Sequence, residues 1–108
     1  MRIYVSTPIT SRKPEKWGDK WNEAYASVLD IERRMRAMKP EYACADFVST
    51  FSFNPAAGIS EAEAMGNCIQ AVLMSDMVVM DDGWQRSLGC QLELKAAKLY
   101  GKEWIFKP

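Results

Sequence analysis

Ser87, Gly89 and Glu93 follow one another at helical spacing in Ser87-Leu88-Gly89-Cys90-Gln91-Leu92-Glu93, a hydroxyl, a gap and a carboxylate. Ser87 stands where a helix wants its N-cap, and a helix N-terminus attracts anions because its backbone N–H groups lack partners. Glu93 has Gly89 and Cys90 behind it and Ala96 and Ala97 ahead, so no basic side chain sits at the spacings that pair a solvated helical glutamate. Gly89 costs the helix about 1 kcal/mol relative to alanine and leaves a channel from the carboxylate to the helix mouth. Glu93 also borders the apolar stripe of its helix, so partial desolvation would raise its pKa and leave a reactive oxygen. The plainer alternatives are a serine that only caps and a glutamate that is only unpaired on the surface.

A second candidate stretch is Ser6-Thr7-Pro8-Ile9-Thr10-Ser11-Arg12-Lys13, with four hydroxyls and two cations. These would suit sugar hydroxyls or a phosphate, although an ordinary polar turn reads the same way. The stretch lacks the glycines and the GK[ST] ending of a P-loop, and no GxGxxG occurs, which argues against the usual ATP and NAD folds. Asp82, Gly83 and Trp84 form a third group. Trp84 is either a lid or a stacking surface for a base, with packing its commoner role, and Asp81 and Asp82 can do no more than end a strand.

Composition narrows the chemistry further. The 108 residues contain no histidine, which excludes Ser-His-Asp and Cys-His nucleophilic systems and His-ligated metals. Acid–base work near neutral pH is left to carboxylates, thiols, Lys or Tyr. Fourteen basic and fourteen acidic residues cancel, against the electrostatic grip of a nucleic-acid binder. Three cysteines without a CxxC pair point to a reducing, intracellular setting rather than a zinc or redox site. The N-terminus turns polar at Ser6, too early for a signal-peptide core, and no apolar run is long enough to span a bilayer. The expectation is a soluble, cytoplasmic protein with no membrane partner.

The elements that must hold these residues alternate in type. Ile3-Tyr4-Val5 reads as a buried first strand. Trp17, Trp21, Tyr25, Val28, Ile31, Met35 and Met38 predict a long amphipathic helix between Pro14 and Pro40, its aromatic stripe serving core or a subunit contact. Asp46 to Phe53 alternates in the manner of an edge strand ended by Asn54-Pro55, and Ala56-Ala57-Gly58 reads as a loop. Ser60-Glu61-Ala62-Glu63 is a capping box opening a helix that buries Met65, Cys68 or Ile69, Val72 and Leu73. Met77 to Met80 is a central strand. The next helix has the stripe Leu88, Leu92, Ala96 and Leu99 with Gly101 as its stop, and Glu103 to Phe106 is the last strand. This β-α-β-α-β-α-β order predicts a single α/β domain over 1–108, flavodoxin- or Rossmann-like. Its four-stranded parallel sheet runs 2-1-3-4 with helices on both faces. In such sheets ligands bind beyond the strand C-termini, which selects the loops 6–11 and 81–89.

Taken together, these residues resemble the nucleoside 2-deoxyribosyltransferase-like superfamily. Ser87-Leu88-Gly89-Cys90-Gln91-Leu92-Glu93-Leu94 is similar to the Ser-Leu-Gly-x-x-x-Glu-Leu signature of the 2′-deoxynucleoside 5′-phosphate N-hydrolases, and Tyr4-Val5-Ser6-Thr7-Pro8-Ile9 is similar to the start of those chains. Gly83-Trp84-Gln85-Arg86-Ser87, with Asn54-Pro55 upstream, looks closer to a small domain-of-unknown-function branch common in phage and bacterial genomes. The resemblance implies a retaining attack on a glycosidic bond of a nucleoside or nucleotide, without metal or other cofactor. Glu93 would be the nucleophile at C1′ and Ser87 would hold a 5′-phosphate. Tyr4 and the loop of Ser6, Thr7 and Pro8 would line the sugar and base, with Asp82, Gly83, Trp84 and Gly89 completing the candidate binding set. Active relatives also carry an aspartate that assists departure of the base. Its place falls near Asn67 or Cys68, and no carboxylate lies between Glu63 and Asp76. The alternative expectation is therefore a non-catalytic nucleotide-binding module, an accessory or sensor protein. The edge strand and the Trp-rich helix predict a homo-oligomer.

Overall fold

The first strand, β1 (Arg2–Ser6), divides its side chains between two cores by the period of two that any strand imposes. In the computed structural model, which describes residues 1–54 and 58–108, Ile3 and Val5 turn to one face of the sheet and Tyr4 to the other. The remaining elements in chain order are α1 (Trp17–Arg36), α2 (Pro40–Ala43), β2 (Asp46–Val48), α3 (Glu61–Leu73), β3 (Met77–Met80), α4 (Leu88–Leu99) and β4 (Glu103–Phe106). All strand pairs are parallel and the order is β2-β1-β3-β4, as the alternating pattern predicts. β3 is buried along its whole length, which is why it reads as uninterrupted Met-Val-Val-Met.

On one face, Ala24, Val28, Ile31 and Met35 are the buried positions of α1, and the last three pack with Tyr42 over Ile3, Val5, Met77 and Val79. On the other face, α3 and α4 supply Cys68, Val72, Cys90, Leu94 and Ala97 against Tyr4, Val78 and Met80. Among the described residues no helix is long and apolar enough to cross a membrane.

Three local expectations are corrected. β2 stops at Val48 rather than continuing to Phe53. Ser49 turns the chain by accepting from the Phe51 N–H at 3.2 Å while its own N–H donates to Ser52 Oγ at 3.1 Å, which makes Thr50–Ser52 a 3₁₀ turn. Phe51 then packs on α1, with ring centroids 4.5 Å from Trp21 and 5.2 Å from Tyr25, so its apolar side chain serves the helix contact rather than a sheet face. The helix after Pro14 starts only at Trp17 and ends at Arg36, and the short α2 with Pro40 in its first turn fills the interval before β2. The leucine stripe of α4 points outward. Leu88, Leu92 and Leu99 are exposed, and the inner side carries Cys90, Glu93, Leu94 and Ala97. The expected capping box at α3 is present in its first half, Ser60 Oγ accepting from the Glu63 N–H at 3.1 Å. The expected loop residues Pro55, Ala56 and Ala57 lie outside the described residues.

Candidate active site

β1 ends at Ser6 on the same face as Tyr4, directly under the start of α4. Ser87 caps that helix by accepting from the Cys90 N–H at 3.2 Å, which fixes where the first turn begins. Glu93 then falls on the inner side, 5% exposed. Ser6 Oγ donates to Glu93 Oε1 at 3.3 Å, while Oε2 is buried with no hydrogen-bond partner of good geometry. Burial pushes the Glu93 carboxyl up from 4.5 to about 7, offset in part by the nearby Tyr4 phenol and by Ser6. The same crowding raises Tyr4 well above its usual range, through its own burial first and the neighbouring Glu93 second.

A cavity of about 350 Å³ opens beside this carboxylate, within the size range of small-molecule sites. Tyr4, Thr7, Cys68, Ser87, Gly89 and Glu93 border it, and Trp17, Met65 and Leu92 give it apolar walls. The glycine is open as its spacing suggests: a Cβ at Gly89 would lie 3.6 Å from Met65 Sδ and 3.9 Å from Ser87 Oγ, so a methyl would fill part of the mouth without a clash. Both thiols at the site are held neutral. Burial and then Glu93 push Cys90 up to about 11 and raise Cys68 as well, so neither thiol ionises near neutral pH.

The candidate residues do not all meet here. Tyr4, Thr7, Ser87, Gly89 and Glu93 share the cavity, and Ser6 lies behind it, holding Glu93. Pro8, Asp82 and Gly83 line a separate groove with Arg12, Lys13 and Arg86. Gly83 has φ of 83°, and a Cβ there would meet Arg86 Nη2 at 3.3 Å and Pro8 Cγ at 3.6 Å, so a turn accounts for this glycine. Trp84 stacks on Phe106 at 5.9 Å with planes 17° apart, away from the cavity, in the packing role.

Two features escaped the sequence. Asp81, read as a strand terminator, is 1% exposed and collects donors from across the fold. Its Oδ2 accepts from Thr7 Oγ1 at 2.7 Å, Ser27 Oγ at 2.6 Å and Arg12 Nη2 at 3.2 Å, and its Oδ1 accepts from the Asp82 N–H at 2.7 Å. Lys107 Nζ stands 3.9 Å from Oδ1. This network fastens the β1 loop and α1 to the ends of β3 and β4. The second feature is Trp17, given no chemistry from its stripe, which reaches the cavity wall. Neither is visible without knowing which distant segments meet.

Where the sequence lacks a carboxylate, the structure puts Cys68 at the cavity, while Asn67 Nδ2 turns away to donate to Asn54 Oδ1 at 2.8 Å. Asn54 Nδ2 in turn donates to Thr50 Oγ1 at 2.8 Å and to Cys68 Sγ at 3.4 Å. Among the described residues no three Cys, Asp or Glu side chains cluster so as to hold a metal ion.

This is a parallel α/β domain whose cleft, at the C-terminal ends of β1 and β3, is centred on a buried and under-bonded carboxylate. Residues 1–106 match the family known as the domain of unknown function DUF4406, and the chain belongs to that family. No curated protein matches the chain.

Proposed function

We propose that this domain cleaves the bond between base and deoxyribose in a nucleoside or nucleotide, with Glu93 as nucleophile. The observation that carries this reading is the Glu93 side chain itself, buried against the cavity with no donor of good geometry on Oε2. Leaving a carboxylate oxygen buried and unsatisfied costs stability, and such costs concentrate where function needs them. The resemblance of Ser87 to Glu93 to the N-hydrolase signature gives the substrate class. Oε2 attacks C1′, the glycosidic electron pair leaves with the base, and the base takes its proton from water. Water or a second base then cleaves the sugar ester and regenerates Glu93. Ser6 and Tyr4 hold the carboxylate, and the first turn of α4 with Ser87 suits a 5′-phosphate. Trp17, Met65 and Leu92 suit the flat face of a base.

The nucleophile must be ionised. With its pKa at about 7, the rate rises with pH through that value and levels off above it.

A specific observation favours a second reading, a nucleotide-binding module without catalysis. Near Asn67 or Cys68, where the resemblance places the aspartate of active members, the cavity meets Cys68, whose thiol is held protonated by burial and by Glu93. One experiment separates the two. The protein is incubated with 2′-deoxynucleosides and their 5′-monophosphates, free base is followed by chromatography, and melting is recorded with each ligand. Base release that vanishes in Glu93→Gln establishes the glycosidase. A melting shift without release, retained in Glu93→Gln, establishes the binding module. Neither release nor shift across the panel rejects both.

A further inference from the structure

Cleaving a base from its sugar leaves one proton to be placed, because the base departs faster when its nitrogen is protonated in the same step. On the described part of the cavity wall, Tyr4, Glu61, Cys68, Cys90 and Glu93 are the side chains with an ionisable proton. Glu93 makes the attack. The Tyr4 phenol lies against Glu93, and its burial first and that carboxylate second hold its proton tightly. Cys90 shares α4 with Glu93, 1% exposed, with Ser6 and Ser87 beside it. Glu61 is exposed on the first turn of α3, at the solvent end of the wall. Cys68 remains. It lies about two turns further along α3, on the same helix face as Glu61 and Met65, so it borders the deep end of the cavity. The buried Glu93 oxygen without a donor of good geometry opens on the same space.

The sulfur is held in one orientation. Asn54 Nδ2 donates to Cys68 Sγ at 3.4 Å, and the sense of that bond is fixed because Asn54 Oδ1 accepts from Asn67 Nδ2 at 2.8 Å. Asn54 is buried, and its Nδ2 also meets Thr50 Oγ1 at 2.8 Å and the Ala64 carbonyl at 3.3 Å. The Thr50 and Tyr4 hydroxyls stand beside the sulfur as well and favour its thiolate. A sulfur that accepts from these donors keeps its own proton for whatever lies in the cavity.

We propose that Cys68 is the acid of the reaction, its thiol giving a proton to the departing base. This role rests on Glu93 being the nucleophile. The protons balance over two steps. In the first, Glu93 Oε2 bonds to C1′, the C1′–N bond breaks with its electron pair on the base nitrogen, and the S–H proton moves to that nitrogen. In the second, water or the incoming base attacks C1′ and yields its proton to the thiolate, and Glu93 leaves as the carboxylate. With water as the acceptor, the proton on the base is thus replaced from water and Cys68 is restored. Electrostatics times the transfer. Burial and then the Glu93 charge hold the thiol protonated, and that charge disappears as the sugar ester forms. The proton is loosened when the base needs it and is bound again when the carboxylate returns.

The test compares two leaving bases with the full chain. 2′-Deoxyguanosine expels guanine as an anion that needs a proton, whereas 7-methyl-2′-deoxyguanosine expels a neutral base that needs none. Cys68→Ala and Cys68→Ser are expected to slow guanine release by about 10²-fold and 7-methylguanine release by less than about threefold. Retention of the second rate also shows that the site still folds, and Cys68→Ser, which changes one atom, guards the packing. Equal losses on the two substrates, or no loss on 2′-deoxyguanosine, overturn the role of Cys68, while release that still vanishes in Glu93→Gln leaves the nucleophile standing. Release of neither base by the wild type overturns both.

Discussion

Two carboxylates are buried at the same end of the sheet, and they are treated in opposite ways. Asp81, at the end of β3, receives the donors of Thr7, Ser27, Arg12 and its neighbour's N–H, and Lys107 stands near. Glu93, on α4, has one 3.3 Å hydrogen bond from Ser6 and the Tyr4 phenol beside it, and its Oε2 has no donor of good geometry. A buried charge with every lone pair satisfied is an anchor, whereas one left short of donors beside a cavity is ready to bond to something else. The sheet faces differ in the same way. The α1 face of β1 presents Ile3 and Val5, and the α4 face presents Tyr4 and Ser6, so one strand supplies both an apolar core and the groups beside Glu93.

The largest expected effect that separates the two carboxylates is on turnover. Glu93→Gln should lower base release by at least about 10³-fold, because a carboxamide cannot form the sugar ester. Base release in Glu93→Gln at the wild-type rate would break the comparison. Asp81→Asn should act on the fold instead. It turns an amide toward donors and leaves Arg12 short of its buried partner, which should cost roughly 3–5 kcal/mol in urea unfolding. A loss below about 1 kcal/mol would show that Asp81 is no anchor.

Glu93→Gln should move stability the other way, and only at high pH. Burial raises the folded pKa above 4.5, so the neutral carboxyl is fully tolerated below that value. Stability is then lost as pH rises through about 7, because the folded chain must ionise a group that the unfolded chain ionises easily. Glutamine never ionises. The variant should match wild type near pH 4 and exceed it by about 3 kcal/mol at pH 8, read from paired urea curves. A difference independent of pH would contradict this. The smallest expected effect is that of Gly89→Ala. It should gain α4 no more than about 1 kcal/mol in melting experiments, while weakening any nucleotide-induced shift by narrowing the cavity mouth.

The parallel sheet was legible because Met77 to Met80 is apolar without interruption and because each helix between strands announces itself by period or by a cap such as Ser60. Glu93 was legible as a carboxylate without a helical partner, but its depth was not. The three leucines Leu88, Leu92 and Leu99 outweigh Cys90, Leu94 and Ala97 in any count of apolar residues, so the stripe of α4 pointed to the wrong side. Packing reverses that order, because small Cys90 and Ala97 let the helix approach the sheet and carry Glu93 inward with them. Phe51 misled in the same manner, its apolar side chain taken up by Trp21 and Tyr25 rather than by a fourth turn of the strand pattern. Asp81 was hidden for a different reason. Its donors come from residues 7, 12, 27 and 107, and no local spacing reveals a meeting of segments so far apart.

The central claim, that Glu93 is held buried and short of donors for use at the cavity, is tested most directly by a carbon-13 NMR titration of its side-chain carboxyl. The chain is labelled at glutamate and the signal assigned by its loss in Glu93→Gln. A midpoint near 7, displaced when a 2′-deoxynucleoside 5′-monophosphate is added, is the predicted result. A midpoint near 4.5 that ignores the nucleotide would show a solvated, ordinary glutamate and contradict the account.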